Sequence, residues 1–227
     1  MRKLVLFSAA LATIAAPASA ASPRPWFALA VGGSTYAMSD VNRDIANLNT
    51  MIGPGGPHMN EITSGISLGF SAGFDLESGP GFGVGYERVT GKSEASDASG
   101  GIEYALPANL IKVFGEYAFV RASKTRACLG VAVGQVSEAG TVTLSITGSG
   151  YDSADLKGTG ALFEGYANGE IWTAPQFALL GATGYRHARA NEITVRGNKA
   201  YNSDGSRYGI DYSGLFLRVG FKVALTR

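Results

Sequence analysis

The clearest pattern along the chain is a strict alternation of apolar residues with small or polar ones. It is strongest over residues 62–77, where Ile, Leu and Phe alternate with Gly, Ser, Asp and Glu, and it recurs over residues 212–225. A period of two is typical of a β-strand with one apolar face. The opposite face carries glycine and charge rather than the residues of a solvated sheet, which favours a strand that is apolar outside and borders a narrow polar interior.

Turn sequences divide this alternation into eight predicted strands joined by connections of alternating length. Short connections lie near residues 78–81, 121–126 and 174–176, and longer ones follow the first, third, fifth and seventh strands. Short turns at one end and long loops at the other are typical of transmembrane barrels. The sequence therefore predicts an all-β protein, an eight-stranded antiparallel up-and-down transmembrane β-barrel. In the first long loop, residues 39–61, apolar residues at helical spacing predict a short amphipathic helix.

Composition and the first residues agree with an exported membrane barrel. Residues 1–20 have a basic start, a short apolar core and a small-residue cleavage site, which predicts a signal peptide and leaves residues 21–227 as one barrel domain. Charged residues make up only 16% of the chain, against a usual figure of about 25%, while glycine occurs 32 times. A net charge of +1 does not favour nucleic acid as a partner.

Aromatic residues are predicted to form two interfacial girdles, one at each end of the strands. The girdle at the long-loop end would contain Tyr36, Tyr104, Tyr151, Tyr185, Tyr201, Tyr208 and Tyr212. The girdle at the short-turn end would contain Trp26, Phe74, Phe82, Phe119, Trp172, Phe177 and Phe221.

The last strand also carries a pattern that resembles the C-terminal sorting signal of Gram-negative outer-membrane barrels: Arg218, Gly220, Val223 and Leu225. Over residues 21–227 the chain is similar to the OmpX-like and OmpA-type barrels, without a separate peptidoglycan-binding domain. The resemblance implies a location in the cell outer membrane, contact with its lipid and lipopolysaccharide, and insertion by the barrel-assembly machinery. We expect a monomer, with no metal and no cofactor.

Strand phase assigns a set of charged residues to the barrel interior. An eight-stranded barrel is just wide enough for side chains to fill it, so these charges should pair across the lumen as a plug. The predicted network contains Asp75, Glu77, Glu87, Lys112, Glu116, Glu164, Glu170, Arg186, Arg218 and Lys222.

Three functions are compatible with this architecture. We favour a non-enzymatic structural or surface-interaction role, adhesin-like, with projecting hairpins at residues 141–147 and 193–208 as the contact surface for a surface ligand. Rim cations near that end would meet lipopolysaccharide phosphates: Arg88, Lys92, Arg189, Arg196, Lys199 and Arg207. One alternative is a narrow channel for ions or small solutes.

A second alternative is a barrel enzyme that acylates or deacylates lipid A. Such an enzyme needs a histidine near a serine on the lipid side of the barrel. His187 and Ser213 fall in the outward phase of the last two strands near the same rim, although neither lies in a local motif of those enzyme families. A separation beyond hydrogen-bond reach would argue against this alternative.

Overall fold

A computed structural model of the protein describes residues 23–53, 55–98, 100–146 and 150–225. The predicted signal peptide, residues 1–20, lies outside these residues, as does residue 147 at the end of the hairpin predicted over residues 141–147. No helix in the described part of the chain combines the length and the apolar character needed to cross a membrane.

The chain forms a closed ring of eight antiparallel strands with one helix in the first long loop. In chain order the elements are β1 (Arg24–Thr35), α1 (Ser39–Ile52), β2 (Ser64–Asp75), β3 (Pro80–Asp97), β4 (Gly100–Arg121), β5 (Thr125–Ile146), β6 (Gly150–Ala174), β7 (Phe177–Ala190), the two-residue strands β8 (Thr194–Val195), β9 (Asn198–Lys199) and β10 (Ile210–Asp211), and β11 (Gly214–Ala224). Each long strand pairs with its neighbours in the chain, and β11 pairs with both β7 and β1, which closes the ring. The predicted barrel and its loop helix are confirmed.

Side chains of the ring alternate between an apolar outer surface and a polar lumen. On β11, Leu217 and Val219 are more than half exposed, whereas Arg218 points inward. The same outward exposure applies to Phe70 and Ile111 on other strands. A closed sheet pairs all of its ladder groups, and an outer surface of hydrocarbon is stable only in lipid. The alternation therefore defines a membrane-spanning band.

Strands β3 to β6 continue well past this band toward the long-loop end. On β5 the outward residues are apolar from Leu129 to Val133 and become polar at Gln135 and Ser137. The β4–β5 and β5–β6 ladders nevertheless continue to Ile146. We call the parts of β3–β6 at residues 88–109 and 137–161 the outer extension.

An apolar core fills the barrel at this outer end. Its fully buried members come from α1, from the segment between α1 and β2, from the outer halves of β4, β5 and β6, and from the segment between β7 and β11. They include Val41, Ile45, Ile62, Leu106, Leu110, Val136, Leu162, Ile193, Ile210 and Tyr212. Burying each large aliphatic side chain contributes about 1.5–3 kcal/mol. The rings of Tyr36 and Tyr212 meet edge to face with centroids 5.4 Å apart. The interior of the barrel at its outer end is therefore packed like the core of a water-soluble protein.

Helix α1 covers this core and is held in place by specific polar contacts. The Asp40 carboxylate accepts hydrogen bonds from the Gly209 amide at 3.0 Å and from Arg189 at 3.3 Å. The Asn42 side chain brackets the backbone of Ile62, accepting from its N–H at 2.8 Å and donating to its carbonyl at 3.3 Å. The helix therefore closes the long-loop mouth.

The residues just before α1 extend the backbone pairing between β1 and β11. The Ala37 amide donates to the Ser213 carbonyl, and the Met38 amide to the Asp211 carbonyl, both at 3.1 Å. The β1–β11 seam therefore continues beyond the lipid band as far as the start of α1.

Two predictions are wrong, one about the aromatic girdles at both ends of the barrel and one about the last long loop. Trp26 at the short-turn end and Tyr36, Tyr104, Tyr208 and Tyr212 at the outer end are buried inside the barrel and are not girdle residues, because their phase on the strands or loops points inward. Trp172 is not a girdle residue either, because it is in the same inward phase as Glu170 and lies over Arg24 inside the short-turn mouth. The projecting hairpin predicted over residues 193–208 is instead two small turns. One is centred on residues 196–197, where both residues have positive φ, and the other is closed by the Tyr201–Arg207 bridge. Burial of its apolar residues in the core folds this segment inward.

Candidate functional site

The middle of the lumen is filled by two carboxylates and three cations. Glu164 lies 2.6 Å from Lys112, 2.9 Å from Arg186 and 2.8 Å from Arg218. Glu87 lies 3.1 Å from Lys112, 2.7 Å from Arg186 and 2.6 Å from Arg218. Each charge in this five-residue cluster, which we call the central cluster, contacts every charge of opposite sign. Such reciprocal pairing offsets the desolvation cost of the buried ions.

A second group of charges lies nearer the short-turn end. Lys222 donates to Asp75 and to Glu170, each at 2.7 Å, and Arg126 lies 2.5 Å from Asp75. The Lys222 ammonium also sits 4.2 Å from the centre of the Trp26 ring, within range of a cation–π contact. These contacts explain why Trp26 faces the lumen.

Between the two groups, Glu116 accepts a hydrogen bond from the Tyr166 hydroxyl at 3.0 Å. The Tyr166 ring needs the absence of a side chain at Gly130, because a Cβ there would lie 2.4 Å from the ring. The cavity beside these residues measures about 90 Å³, against about 300–1,000 Å³ for ligand pockets. The lumen at this level is therefore packed.

The structure brings nine of the ten predicted network residues into the lumen and leaves one outside. Glu77 lies in the β2–β3 turn with an exposed side chain, because β2 ends at Asp75 and the chain turns away before residue 77 can face inward. Arg126 also lies in the lumen, although the turn pattern placed it in the short connection at residues 121–126. Its even position in β5, in phase with Cys128 and Gly130, was the signal that could have identified it.

The four residues of the predicted sorting signal lie on β11 and just after it. Arg218 belongs to the central cluster, and Leu225 is exposed on the outer surface of the barrel. At Gly220 the backbones are so close that a Cβ would lie 2.0 Å from the Leu29 carbonyl oxygen of β1. Recognition of this segment during insertion stays a prediction.

His187 and Ser213 are in hydrogen-bond contact at the outer edge of the lipid band. The Ser213 hydroxyl lies 3.2 Å from Nδ1 of His187. The same oxygen accepts a hydrogen bond from the Ala188 amide at 3.1 Å, and Ser213 is only 6% exposed. Among the described residues, no hydrogen bond orients the other ring nitrogen of His187. The serine oxygen thus also serves as an acceptor for β7 in the short gap between β10 and β11.

Most of the predicted rim cations are already paired within the protein. Lys92 contacts Glu94 and Glu103, Arg189 contacts Asp40, Arg196 contacts Asp152, and Arg207 contacts Glu192. The segments beyond the lipid band, residues 36–63, 88–109, 137–161 and 188–213, contain eight Lys and Arg against twelve Asp and Glu. The outer end is therefore acidic overall.

Comparison with known proteins shows the fold. No family model matches the chain, and no curated protein matches it in sequence. Among solved structures, the chain is similar to Neisserial surface protein A, with a TM-score of 0.52 and 16% identity over 90% of this chain and 99% of that one. The outer membrane protein OprG from Pseudomonas aeruginosa gives a TM-score of 0.48 and 10% identity over 91% and 98%. Ail, the attachment invasion locus protein of Yersinia pestis, gives 0.41 and 9% over 87% and 98%.

The closed eight-stranded ring, its apolar outer band and the similarity in fold to Neisserial surface protein A define a class. The protein is an outer-membrane β-barrel with the fold of the small barrels of Gram-negative bacteria, and its location is the outer membrane. The long-loop end, with α1 and the outer extension, is then the outer side.

Proposed function

We propose that this protein is a non-conducting outer-membrane barrel that acts through its outer surface, in a structural or attachment role. The observation that carries the proposal is the filling of the barrel at two levels. The central cluster occupies the lumen within the membrane, and the apolar core under α1 occupies it at the outer end. With the lumen filled, the outer extension is the part of the molecule that offers contact area.

The surface of this outer end supports the second half of the proposal. Tyr151 and Tyr201 are 72% and 57% exposed beyond the lipid band, and Tyr201 lines a groove of about 100 Å³ together with Arg207. Exposed tyrosine and arginine are enriched in protein contact surfaces. The excess of carboxylates favours a neutral or cationic partner over a polyanion.

Two measurements test the proposal. Planar-bilayer recordings of the purified barrel should show no conductance above that of the empty bilayer, and a stable single-channel current would favour the channel alternative.

Liposomes that carry the barrel should be retained on intact bacterial cells or on immobilised extracellular-matrix protein more than empty liposomes are. The double variant Tyr151→Ser/Tyr201→Ser should lower this retention. Lys157→Ser, an exposed change on the same strand as Tyr151, is the matched control and should not. Equal retention of loaded and empty liposomes would contradict the attachment role.

A second candidate, lipid hydrolysis, is favoured by the contact between Ser213 and His187. Nδ1 of the histidine is placed to accept the serine proton. His187 is exposed on the lipid-facing surface of the barrel, near its outer end, where lipid A acyl chains lie. Incubation with lipid A followed by mass spectrometry would detect a released fatty acid. Release that is lost in both Ser213→Ala and His187→Ala would replace the attachment proposal with an enzymatic one. Our proposal expects no release.

A further inference from the structure

The end of the barrel opposite to helix α1 contains a larger cavity, which we call the inner vestibule. It measures about 550 Å³ and lies among the N-terminal end of β1 and the three short turns. This volume falls within the range of small-molecule sites. Its lining includes Arg24, Arg121, Lys124, Arg126 and Trp172.

The cations of the inner vestibule exceed the carboxylates that line it. Arg126 is neutralised by Asp75 at 2.5 Å, as described above. The remaining three cations, Arg24, Arg121 and Lys124, share the cavity with Glu77 as the other lining carboxylate. Among the described residues, none of these three forms an ion pair. The vestibule therefore has a local excess of two positive charges, while the outer end of the same molecule is acidic.

Two of the guanidinium groups are held in fixed positions by contacts that leave their charge available. Arg24 stacks on the Trp172 ring with its central carbon 4.5 Å from the ring centre, and it donates to the Pro175 carbonyl. Its Nε is buried without a hydrogen-bond partner in the described chain. Arg121 donates to the Glu77 carbonyl. Carbonyl oxygens orient these groups without cancelling their charge, so little side-chain entropy remains to be lost on binding.

We propose that the inner vestibule binds a small anionic group that carries phosphate or carboxylate oxygens. Guanidinium groups match the planar oxygen pairs of both groups, and the Lys124 ammonium adds a mobile donor. The periplasmic side of the membrane offers this chemistry in two forms: a soluble anion, or the phosphate headgroup of an inner-leaflet lipid. The filled lumen above makes the vestibule a binding site rather than the entrance to a pore.

The test is calorimetric titration of inorganic pyrophosphate into the full barrel, reconstituted in nanodiscs of phosphatidylcholine alone. We expect one site per barrel. Lys124→Gln should weaken binding, and Arg24→Gln/Arg121→Gln should raise the Kd at least about tenfold, because each arginine supplies charge-assisted hydrogen bonds. Lys157→Gln, the same change on the outer extension, should leave the Kd unchanged. Within the described ranges, the exposed Lys124 side chain forms no hydrogen bond or ion pair, so its variant remains informative if the arginine variant fails to fold.

A second set of nanodiscs, containing anionic phosphatidylglycerol, distinguishes the two sources. Unchanged pyrophosphate binding identifies a soluble anion as the ligand class, and loss of binding identifies the lipid headgroup as a competing occupant. Absence of binding in phosphatidylcholine nanodiscs, or binding that Lys124→Gln and the double variant leave intact, would overturn the proposal.

Discussion

The central cluster makes a strong prediction about Glu164. The substitution Glu164→Gln keeps the shape of the side chain and removes its charge. Lys112, Arg186 and Arg218 would then share Glu87 as the one carboxylate in contact with all three. Removing one partner from a buried ion pair costs about 3–5 kcal/mol, because the remaining charge is left without compensation. The free energy of unfolding should fall by that amount.

Urea titration of the barrel refolded in detergent micelles measures this loss. Trp26, which lies in the lumen beside Lys222, provides the fluorescence signal. With a slope of about 1–3 kcal/mol per molar urea, the midpoint should fall by at least about 1 M. Glu103→Gln is the matched control, because its ion pair with Lys92 lies on the exposed surface and should contribute little.

A compensating variant separates charge balance from other causes. Lys112→Met/Glu164→Gln removes one cation together with the carboxylate, so it should be more stable than Glu164→Gln alone. The explanation would be refuted if Glu164→Gln shifted the midpoint no more than Glu103→Gln does. It would also be refuted if the losses from Lys112→Met and Glu164→Gln simply added.

Two further predictions concern the outer end. Burial raises the pKa of Glu138, which lies beyond the lipid band and accepts a hydrogen bond from Tyr212, to about 8. The folded state therefore holds the Glu138 proton more tightly than the unfolded state does. The stability that this proton contributes is complete below the ordinary pKa of about 4.3 and is lost as the pH rises through 8. Glu138→Gln should remove about 3–5 kcal/mol of pH dependence between pH 5 and 9, and parallel stability–pH curves for variant and wild type would contradict this assignment. Asp40→Asn should weaken the contacts to Gly209 and Arg189, so amide hydrogen exchange over residues 39–52 should accelerate while β1 and β11 keep their protection. Asp204→Asn, in an exposed turn, is the control, and unchanged exchange over the helix in Asp40→Asn would show that other contacts hold it.

The barrel could be predicted from the sequence because successive residues of each strand face alternately the lipid and the lumen, and each environment restricts the residue type. Lipid outside and a narrow lumen inside leave only one phase for residues such as Leu217 and Arg218, and that phase also located most of the charge network. The loop helix was predictable for the same reason, since Val41 and Ile45 recur at helical spacing. Glu77 was misplaced because alternation does not specify where a strand ends.

The outer end was harder to predict because it combines a membrane interface on its surface with an apolar core in its interior. Tyrosine at the end of a membrane strand usually marks an interface, yet Tyr36 and Tyr212 pack into an apolar core. Strand phase alone would have placed them correctly, whereas residue type pointed to a girdle. The inward fold of residues 192–210 depends on contacts with α1 and the outer extension, which are distant in sequence. The contact between His187 and Ser213 was anticipated as a condition for catalysis. The second bond of the serine oxygen, to Ala188, forms in the gap between β10 and β11, which alternation does not locate.

The backbone bonds of Ala37 and Met38 have a consequence for assembly. They join the approach to α1 to residues that immediately precede the last strand, and Asp40 reaches Gly209 in the same part of the chain. The site on which the helix docks therefore does not exist until the end of the polypeptide has arrived. The helix can therefore complete its docking only after residues 209–213 are in place, so capping of the outer mouth cannot precede the arrival of the last strand.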